Sequence, residues 1–284
     1  MLEPDKTFQL SGSFDLSGRV ALVTGGAGLL GAEFSRTLAQ AGATVVIADI
    51  DGDSASQLSM NLDKQTLKSF PVEVDITEPE AVHEMIQRTL RLFGRLDILV
   101  NNAALDPKFD PQHATPEAAL TTYGDFENFS LEDWNRALAV NLTGAFLCCQ
   151  AAVQPMLNQG GGVIINISSI YGLVGPDQRL YSQPGEVKKY KPVYYSVTKA
   201  AILGLTRYLA TYYAGKNIRV NALTPGGVYN GHDPDFVMTY SARTVLGRMA
   251  EKDELNGALL FLASDASKYM TGANLVIDGG WTAW

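Results

Sequence analysis

Residues 20–31 read Val-Ala-Leu-Val-Thr-Gly-Gly-Ala-Gly-Leu-Leu-Gly, four apolar residues followed by four glycines within seven positions. The apolar run has the length of a strand. Leu30, Phe34 and Leu38 then recur at every fourth position, the spacing of one helix face, and Gly42 closes that helix. Residues 43–48, Ala-Thr-Val-Val-Ile-Ala, form a β-branched run of the kind found in strands covered on both faces. Strand, glycine turn, helix and strand together make the repeating unit of a parallel sheet.

The pattern continues outward from this unit. Val-Glu-Val at 72–74 predicts a third strand. Thr77 and Glu80 predict a capping box for a helix carrying Val82, Met85, Ile86, Leu90 and Phe93, ended by Gly94. Residues 96–100, 163–167, 218–223 and 274–277 predict four further strands. Ser130 is placed to cap the long helix before strand five, and another helix surrounds Lys199. The expected fold is α/β: one doubly wound, mainly parallel sheet of seven strands flanked by helices. A single domain over 18–284 is expected behind an N-terminal extension at 1–17. The sequence contains no internal repeat, low-complexity tract or linker.

Lys plus Arg is 22 and Asp plus Glu is 30, for a net charge of −8 over 284 residues. That charge argues against nucleic acid or an anionic membrane as a partner, because both repel it. No uninterrupted apolar run approaches the roughly 18 residues of a bilayer span. The first residues lack a basic start and a continuous apolar stretch, so no secretory signal is expected. The expected location is cytoplasmic. Cys148 and Cys149 are sequence neighbours and suit neither an ordinary disulfide nor a zinc site.

Glycines after a first strand let a backbone approach a pyrophosphate, and the helix that follows supplies unpaired N–H groups and a positive dipole. Gly25, Gly28 and Gly31 are the candidates here. Asp49 lies 18 residues past Gly31, near the usual spacing for a carboxylate that binds a ribose. It would accept from both ribose hydroxyls and repel a 2′-phosphate, which favours NAD over NADP. An ordinary strand-end acid is the alternative. Asp75, in Val-Asp-Ile, is placed to meet an adenine, with a turn-capping aspartate as the rival reading.

Tyr195 and Lys199 are four apart on an expected helix and share one face. A free tyrosine has a pKa near ~10, and a nearby ammonium lowers it toward useful acid/base chemistry. Tyr194 offers a rival reading of the same pattern.

Taken together these motifs resemble the short-chain dehydrogenase/reductase family over residues 18–281. The resemblance rests on the glycine turn, Asn-Asn-Ala-Ala at 101–104, and Asn141 in Val-Asn-Leu-Thr-Gly. It rests equally on Ile-Ser-Ser at 167–169, Tyr-Ser-Val-Thr-Lys at 195–199 and Pro-Gly at 225–226. It implies a Rossmann fold and hydride transfer between a nicotinamide and a carbinol or carbonyl carbon. The implied catalytic set is Tyr195 as general acid/base, Lys199 on the nicotinamide ribose and tuning Tyr195, Ser169 on the reacting oxygen, and Asn141 holding a water. Ser169 is preferred to Ser168. The implied cofactor contacts are Gly25, Gly28, Leu30, Gly31, Asp49, Asp75, Ile76, Asn102, Ala103, Tyr195, Lys199, Pro225, Gly226 and Val228. No metal is implied, and His83, His113 and His232 show no ligand spacing. A small-molecule substrate and a homodimer or homotetramer are expected.

Three departures from that family pattern are informative. Leu29 stands where classical members carry glycine, a spacing more like the extended branch that handles nucleotide sugars. Ser169 and Tyr195 are 26 residues apart, about twice the family interval, with an insertion near 170–194. It holds Arg179, Lys188, Lys189 and Lys191 against only Asp177 and Glu186. A second insertion lies near 105–129. Both leave strand ends, where ligands sit in open α/β sheets. They predict an enclosed pocket whose basic loop reaches an anionic group, with Tyr181, Lys188 and His232 as substrate candidates. The combination is similar to a subgroup of oxidoreductases of bacterial flagellin and surface-sugar modification. The expected activity is NAD-dependent oxidation or reduction of a polar, sugar-derived, anionic alcohol or ketone. A polyol dehydrogenase, a 3-oxoacyl-type reductase, or a non-catalytic dinucleotide-sensing module are the alternatives.

Overall fold

The computed structural model describes residues 10–106, 126–181 and 189–284. Among them, seven strands form one sheet in the order β3-β2-β1-β4-β5-β6-β7. These are β1 (Val20–Thr24), β2 (Thr44–Asp49), β3 (Ser69–Glu73), β4 (Ile98–Asn101), β5 (Gly162–Ile167), β6 (Ile218–Pro225) and β7 (Asn274–Ile277). Every pairing is parallel, as the sequence pattern predicted. A short turn of helix, α1 (Leu10–Ser13), precedes the sheet.

The helices divide between its two faces. Phe34 and Leu38 of α2 (Leu29–Gln40) pack with Leu259 and Leu262 of α9 (Asn256–Ala263) against Ala21, Val23, Val45 and Ile165. On the other face, Val82, Met85 and Ile86 of α4 (Pro79–Phe93) meet Cys148 and Met156 of α6 (Ala145–Asn158), over Leu22, Val46 and Ile164. Neighbouring residues of β1 therefore belong to opposite cores, which is why its apolar run is unbroken rather than alternating. Each buried Val, Leu, Ile, Phe or Met among them contributes about 1.5–3 kcal/mol by leaving water. Cys148 and Cys149 are buried free thiols, and burial pushes Cys149 up to about 12.

Several boundaries differ from the sequence reading. The third strand starts at Ser69 and runs through Pro71, because β3 is an edge and pairs only with β2, leaving room for a residue without an N–H. The capping box at Thr77 and Glu80 does not form. Pro79 occupies the first turn of α4 behind Glu78, and the Thr77 N–H and hydroxyl both turn back to Asp75 Oδ1, at 2.9 and 2.7 Å. Ser130 does cap α5 (Leu131–Leu138), accepting from the N–H groups of Glu132 and Asp133 at 3.2 and 3.3 Å. Gly94 ends α4 at φ +76°, where a side chain would be strained.

Helix α5 continues through a π-helical segment, Ala139–Gly144, into α6. The continuous stretch Leu131–Asn158 is 28 residues long with a mean hydropathy of 1.4 over its most apolar window. By length and composition it is apolar enough to cross a membrane, although no uninterrupted apolar run within it approaches 18 residues. In this fold it is a core helix, with Cys148, Cys149, Ala152 and Met156 buried under the sheet. The remaining helices are α3 (Gly52–Asp63), α7 (Val193–Tyr212) and α8 (Pro234–Ser241).

The chain leaves β1 to one side and β4 to the other, so their carboxyl ends open a crevice between diverging loops. Thr24 fastens its floor. Its hydroxyl accepts from the N–H groups of Asn102 and Ala103 at 3.1 and 3.2 Å.

Candidate active site

A cleft of about 810 Å³ opens at this switch point. One end is built by the glycine turn. Gly25 has φ +58°, and a Cβ there would stand 2.8 Å from Ala103 Cα. A Cβ on Gly31 would stand 1.9 Å from the Gly25 carbonyl oxygen. Gly31 is thus required by backbone packing and is absent from the described cleft lining, whereas Gly25, Gly28 and Leu30 do line it. Asn102 closes the turn from β4, its Nδ2 donating to the carbonyls of Thr24 and Gly25 at 3.1 and 2.9 Å. Gly28 caps α2 without a side chain, leaving the first N–H groups to the cleft. Leu29, the departure from the family pattern, is the first residue of α2. It is accommodated because its side chain lies partly exposed in the cleft lining rather than inside the turn.

Asp49 ends β2 beside this turn. Oδ2 accepts from Ala27 N at 2.9 Å and Oδ1 from Asp51 N at 3.1 Å, so each oxygen retains a lone pair for a further donor. Asp75 lines the cleft, and its Oδ1 braces Thr77, the turn-capping arrangement that the sequence had left open. Ile76, Asn102, Ala103, Pro225, Gly226 and Val228 complete this side. Val228 is held by a bridge to Ala250.

Ser169, Tyr195 and Lys199 meet at the other end. The helix spacing settles which tyrosine faces the cleft. Tyr194 is fully buried with its ring 5.9 Å from that of Phe129, whereas Tyr195 lines the cavity. Ser168 is tied to the helix, its hydroxyl donating to the Lys199 carbonyl at 2.8 Å. Ser169 accepts from Tyr171 N at 3.2 Å, and its side chain opposes the upward shift of the Tyr195 hydroxyl. Lys199 is buried and donates to the Ile167 carbonyl at 2.9 Å.

Burial pulls the Lys199 ammonium down to about 8, opposed by the Asp106 carboxylate and assisted by Lys191. Burial also pushes the Tyr195 hydroxyl well above its ordinary value, with Asp106 adding to the shift and Ser169 opposing it. A lysine lowering the tyrosine was expected from the sequence. In this state desolvation wins, because Lys199 Nζ lies 5.8 Å from the ring centroid and is itself deprived of water.

Asn141 sits in the π-helical segment, a distortion that recurs at functional sites. It does not line the described cleft. Its Oδ1 accepts from Leu105 N at 2.6 Å and its Nδ2 donates to Leu105 O at 3.1 Å and Thr198 Oγ1 at 3.3 Å. It clamps the segment after β4 to α7.

The outer wall is aromatic. Tyr181 donates to the Tyr171 hydroxyl at 2.7 Å, and its ring meets Phe236, which stacks on His232 at 5.2 Å. Tyr240 accepts from Gly227 N at 2.6 Å and stacks on Trp281. Tyr181 and His232 both line the cleft, while Lys188 lies outside the described residues.

Among the described residues, the charges of the basic loop are paired locally. Arg179 and Arg243 both pair with Asp177, and Arg179, at 84% side-chain exposure, points its charge to solvent. Lys191 pairs with Asp106. Sequence counting missed Asp106, which comes from a distant loop and carries no local pattern. The aromatic wall of Phe236 and Tyr240 was missed for the same reason. Among the described residues, no group of three or more His, Cys, Asp or Glu is placed to hold a metal ion.

The fold and this constellation define an NAD(P)-type oxidoreductase acting on CH–OH groups, and the chain belongs to the short-chain dehydrogenase/reductase family. A family model described as enoyl-(acyl carrier protein) reductase matches residues 26–282. The chain is 36% identical to cis-4-hydroxycyclohexanecarboxylate dehydrogenase of Sinomonas cyclohexanicum over 269 residues, covering 93% of this chain and 97% of that protein. It is 34% identical to D-threitol dehydrogenase of Mycolicibacterium smegmatis over 283 residues, 96% of this chain and 97% of that one. A crystal structure of gluconate 5-dehydrogenase from Burkholderia cenocepacia in complex with NADP and tartrate superposes with a TM-score of 0.82 at 30% identity. That match covers 97% of this chain and all of the other.

Proposed function

We propose that this chain transfers a hydride between NAD and a secondary alcohol or ketone of a polar, sugar-derived and anionic substrate. The observation that carries the reading is one cleft joining the glycine turn to Ser169, Tyr195 and Lys199. The residues fit a dinucleotide: the turn is free of side chains where a pyrophosphate would lie, and an uncapped helix end faces it. Gly25, Gly28 and Leu30 would hold the pyrophosphate, with Gly31 supporting the turn from behind. Asp49 would bind the adenosine ribose, and Asp75 and Ile76 would flank the adenine. Asn102, Ala103, Pro225, Gly226 and Val228 would enclose the nicotinamide half. The bound nicotinamide supplies the hydride acceptor or donor.

In the reduction direction, Ser169 donates a hydrogen bond to the substrate carbonyl oxygen and Tyr195 gives it a proton, and in oxidation the Tyr195 phenolate takes that proton back. Lys199 anchors the ribose, and its ammonium favours the Tyr195 phenolate once formed. Asn141 holds the Leu105 backbone against α7 and orders the path from Lys199 to solvent. NAD is favoured because the Asp49 carboxylate repels a 2′-phosphate and the next residue, Ile50, is exposed and uncharged.

The substrate class is supported by the relatives. One is named for a hydroxy acid and one for a polyol, and the gluconate enzyme holds tartrate. Resemblance to the surface-sugar oxidoreductases points the same way. The chain works as one cytoplasmic domain over 18–284, with the insertions near 105–129 and 170–194 over the pocket. It assembles as a homodimer or homotetramer, a reading supported by the exposed Phe146, Val197, Tyr208 and Tyr212 on α6 and α7.

A panel of polyols, sugar acids and hydroxycycloalkane carboxylates, followed by NADH absorbance, tests the reading. Tyr195→Phe should lower kcat by about 10²–10⁴. Full activity in that variant, or no NADH formed with any alcohol, would overturn it.

A further inference from the structure

Two ammonium groups stand near the ring of Tyr195. Lys199 comes from the next turn of α7. The other, Lys191, precedes the helix and holds its Nζ 4.0 Å from the ring centroid. The Lys191 backbone is locked by Gln178, whose Oε1 accepts from its N–H at 2.8 Å and whose Nε2 donates to its carbonyl at 3.1 Å. The Lys191 side chain is only 8% exposed, whereas that of its partner Asp106 is 50% exposed. Both residues line the cleft.

This asymmetry is the informative feature. A buried ammonium needs a counter-charge, and removing one without replacement is costly. A half-exposed carboxylate returns to water at little cost, because solvent already reaches it and replaces the partner it gives up. The cation is therefore the fixed member of the pair and the anion the replaceable one. We infer that Lys191 is a carboxylate-binding residue of the substrate pocket, and that Asp106 occupies its place until a substrate carboxylate displaces it. Carboxylate is the class named because a carboxylate is the group already seated on Lys191.

The inference rests on the alcohol-oxidising reading of the site and narrows its substrate. The ammonium over the Tyr195 ring lies within the span of one small molecule from the hydroxyl that meets the reacting oxygen. The substrate is then a hydroxy acid, carbinol on Ser169 and Tyr195, carboxylate on Lys191, with its carbon frame against Tyr181 and Phe236. Exchanging one carboxylate for another keeps a negative charge beside Lys191, so the field at Tyr195 is maintained during turnover. Neutral alcohols leave the Lys191–Asp106 pair closed and gain nothing from it.

The test uses the full chain saturated with NADH, titrated calorimetrically with cyclohexanecarboxylate and, separately, cyclohexanecarboxamide. Neither probe carries an oxidisable hydroxyl, so binding is read apart from turnover. The wild type should bind the acid at least about tenfold more tightly than the amide, the scale of one charge-assisted hydrogen bond. Lys191→Met should erase that preference and Lys191→Arg should retain most of it, which separates charge from misfolding. Asp106→Asn should tighten the acid by removing its competitor. Equal affinity for acid and amide in the wild type would overturn the inference, as would a preference that survives Lys191→Met or an acid affinity unmoved by Asp106→Asn. A parallel assay with NAD and cis-4-hydroxycyclohexanecarboxylate and other hydroxy acids separates the two readings. Lys191-dependent carboxylate binding without oxidation of any hydroxy acid would keep this site and refute the reaction. Oxidation of alcohols with no dependence on Lys191 would do the reverse.

Discussion

Lys199 offers the sharpest quantitative prediction, because its charge is held in a place that disfavours it. Burial lowers its pKa from 10.5 to about 8, with the Lys191 charge contributing and Asp106 opposing. A lysine whose native pKa lies below its unfolded value binds fewer protons when folded, so stability rises with pH across the interval between the two. The penalty is fully present below pH 8 and fades toward 10.5. At 1.36 kcal/mol per unit it is about 3 kcal/mol at pH 7, falling to about 1.5 kcal/mol at pH 9.5. Lys199→Met removes the titration while keeping much of the stem's volume. Its stability relative to the wild type should therefore decline by about 2 kcal/mol between pH 7 and pH 9.5. Losing the bond to the Ile167 carbonyl, present at 2.9 Å, shifts both values together, because ammonium and amine can each donate. Urea unfolding without nucleotide, performed at both pH values, gives the comparison. A difference between the two proteins that stays constant with pH would refute the reasoning, since it would mean that the lysine is not desolvated.

Gly31→Ala places a methyl 1.9 Å from the Gly25 carbonyl, so the turn must open. NADH affinity, read by fluorescence titration, should fall at least about tenfold, and stability by about 1–3 kcal/mol. Asp49→Asn keeps an acceptor for the turn but removes the charge, and the kcat/KM ratio of NADP to NAD should rise at least about tenfold. Asn141→Ala strips both bonds from the Leu105 main chain. It should cost about 1–3 kcal/mol in chemical unfolding, because the part-buried main chain of Leu105 loses its partners.

How much of this was legible beforehand depends on range along the chain. The sheet was readable because each strand is a short apolar run and each helix repeats at three to four residues. The glycine turn and Asp49 were readable because their geometry is local: the turn demands glycine, and the acid ends the next strand. Boundaries failed where local rules competed. Thr77 had two partners within reach and chose Asp75 over the helix end. Pro71 disguised an edge strand, because the missing N–H matters only in a central one. The long helix has the apolarity of a membrane segment yet lies under the sheet, and composition could not say that Lys191 of the basic loop pairs with Asp106.

The sequence by itself determined the alternation of strands and helices, the glycine turn and the shared helix face of Tyr195 and Lys199, because short-range spacing along one stretch of chain encodes each of them. Its resemblance to the family added Ser169 and Asn141 to the candidate set. Only the tertiary structure decided that Tyr195 rather than Tyr194 faces the cleft, that Ser168 is spent on the Lys199 backbone, and that Gly31 packs rather than lines. It also brought Asp106 and Lys191 together from positions 85 residues apart. Such pairings are set by how loops converge at the end of a parallel sheet, and no local pattern records where two loops will meet.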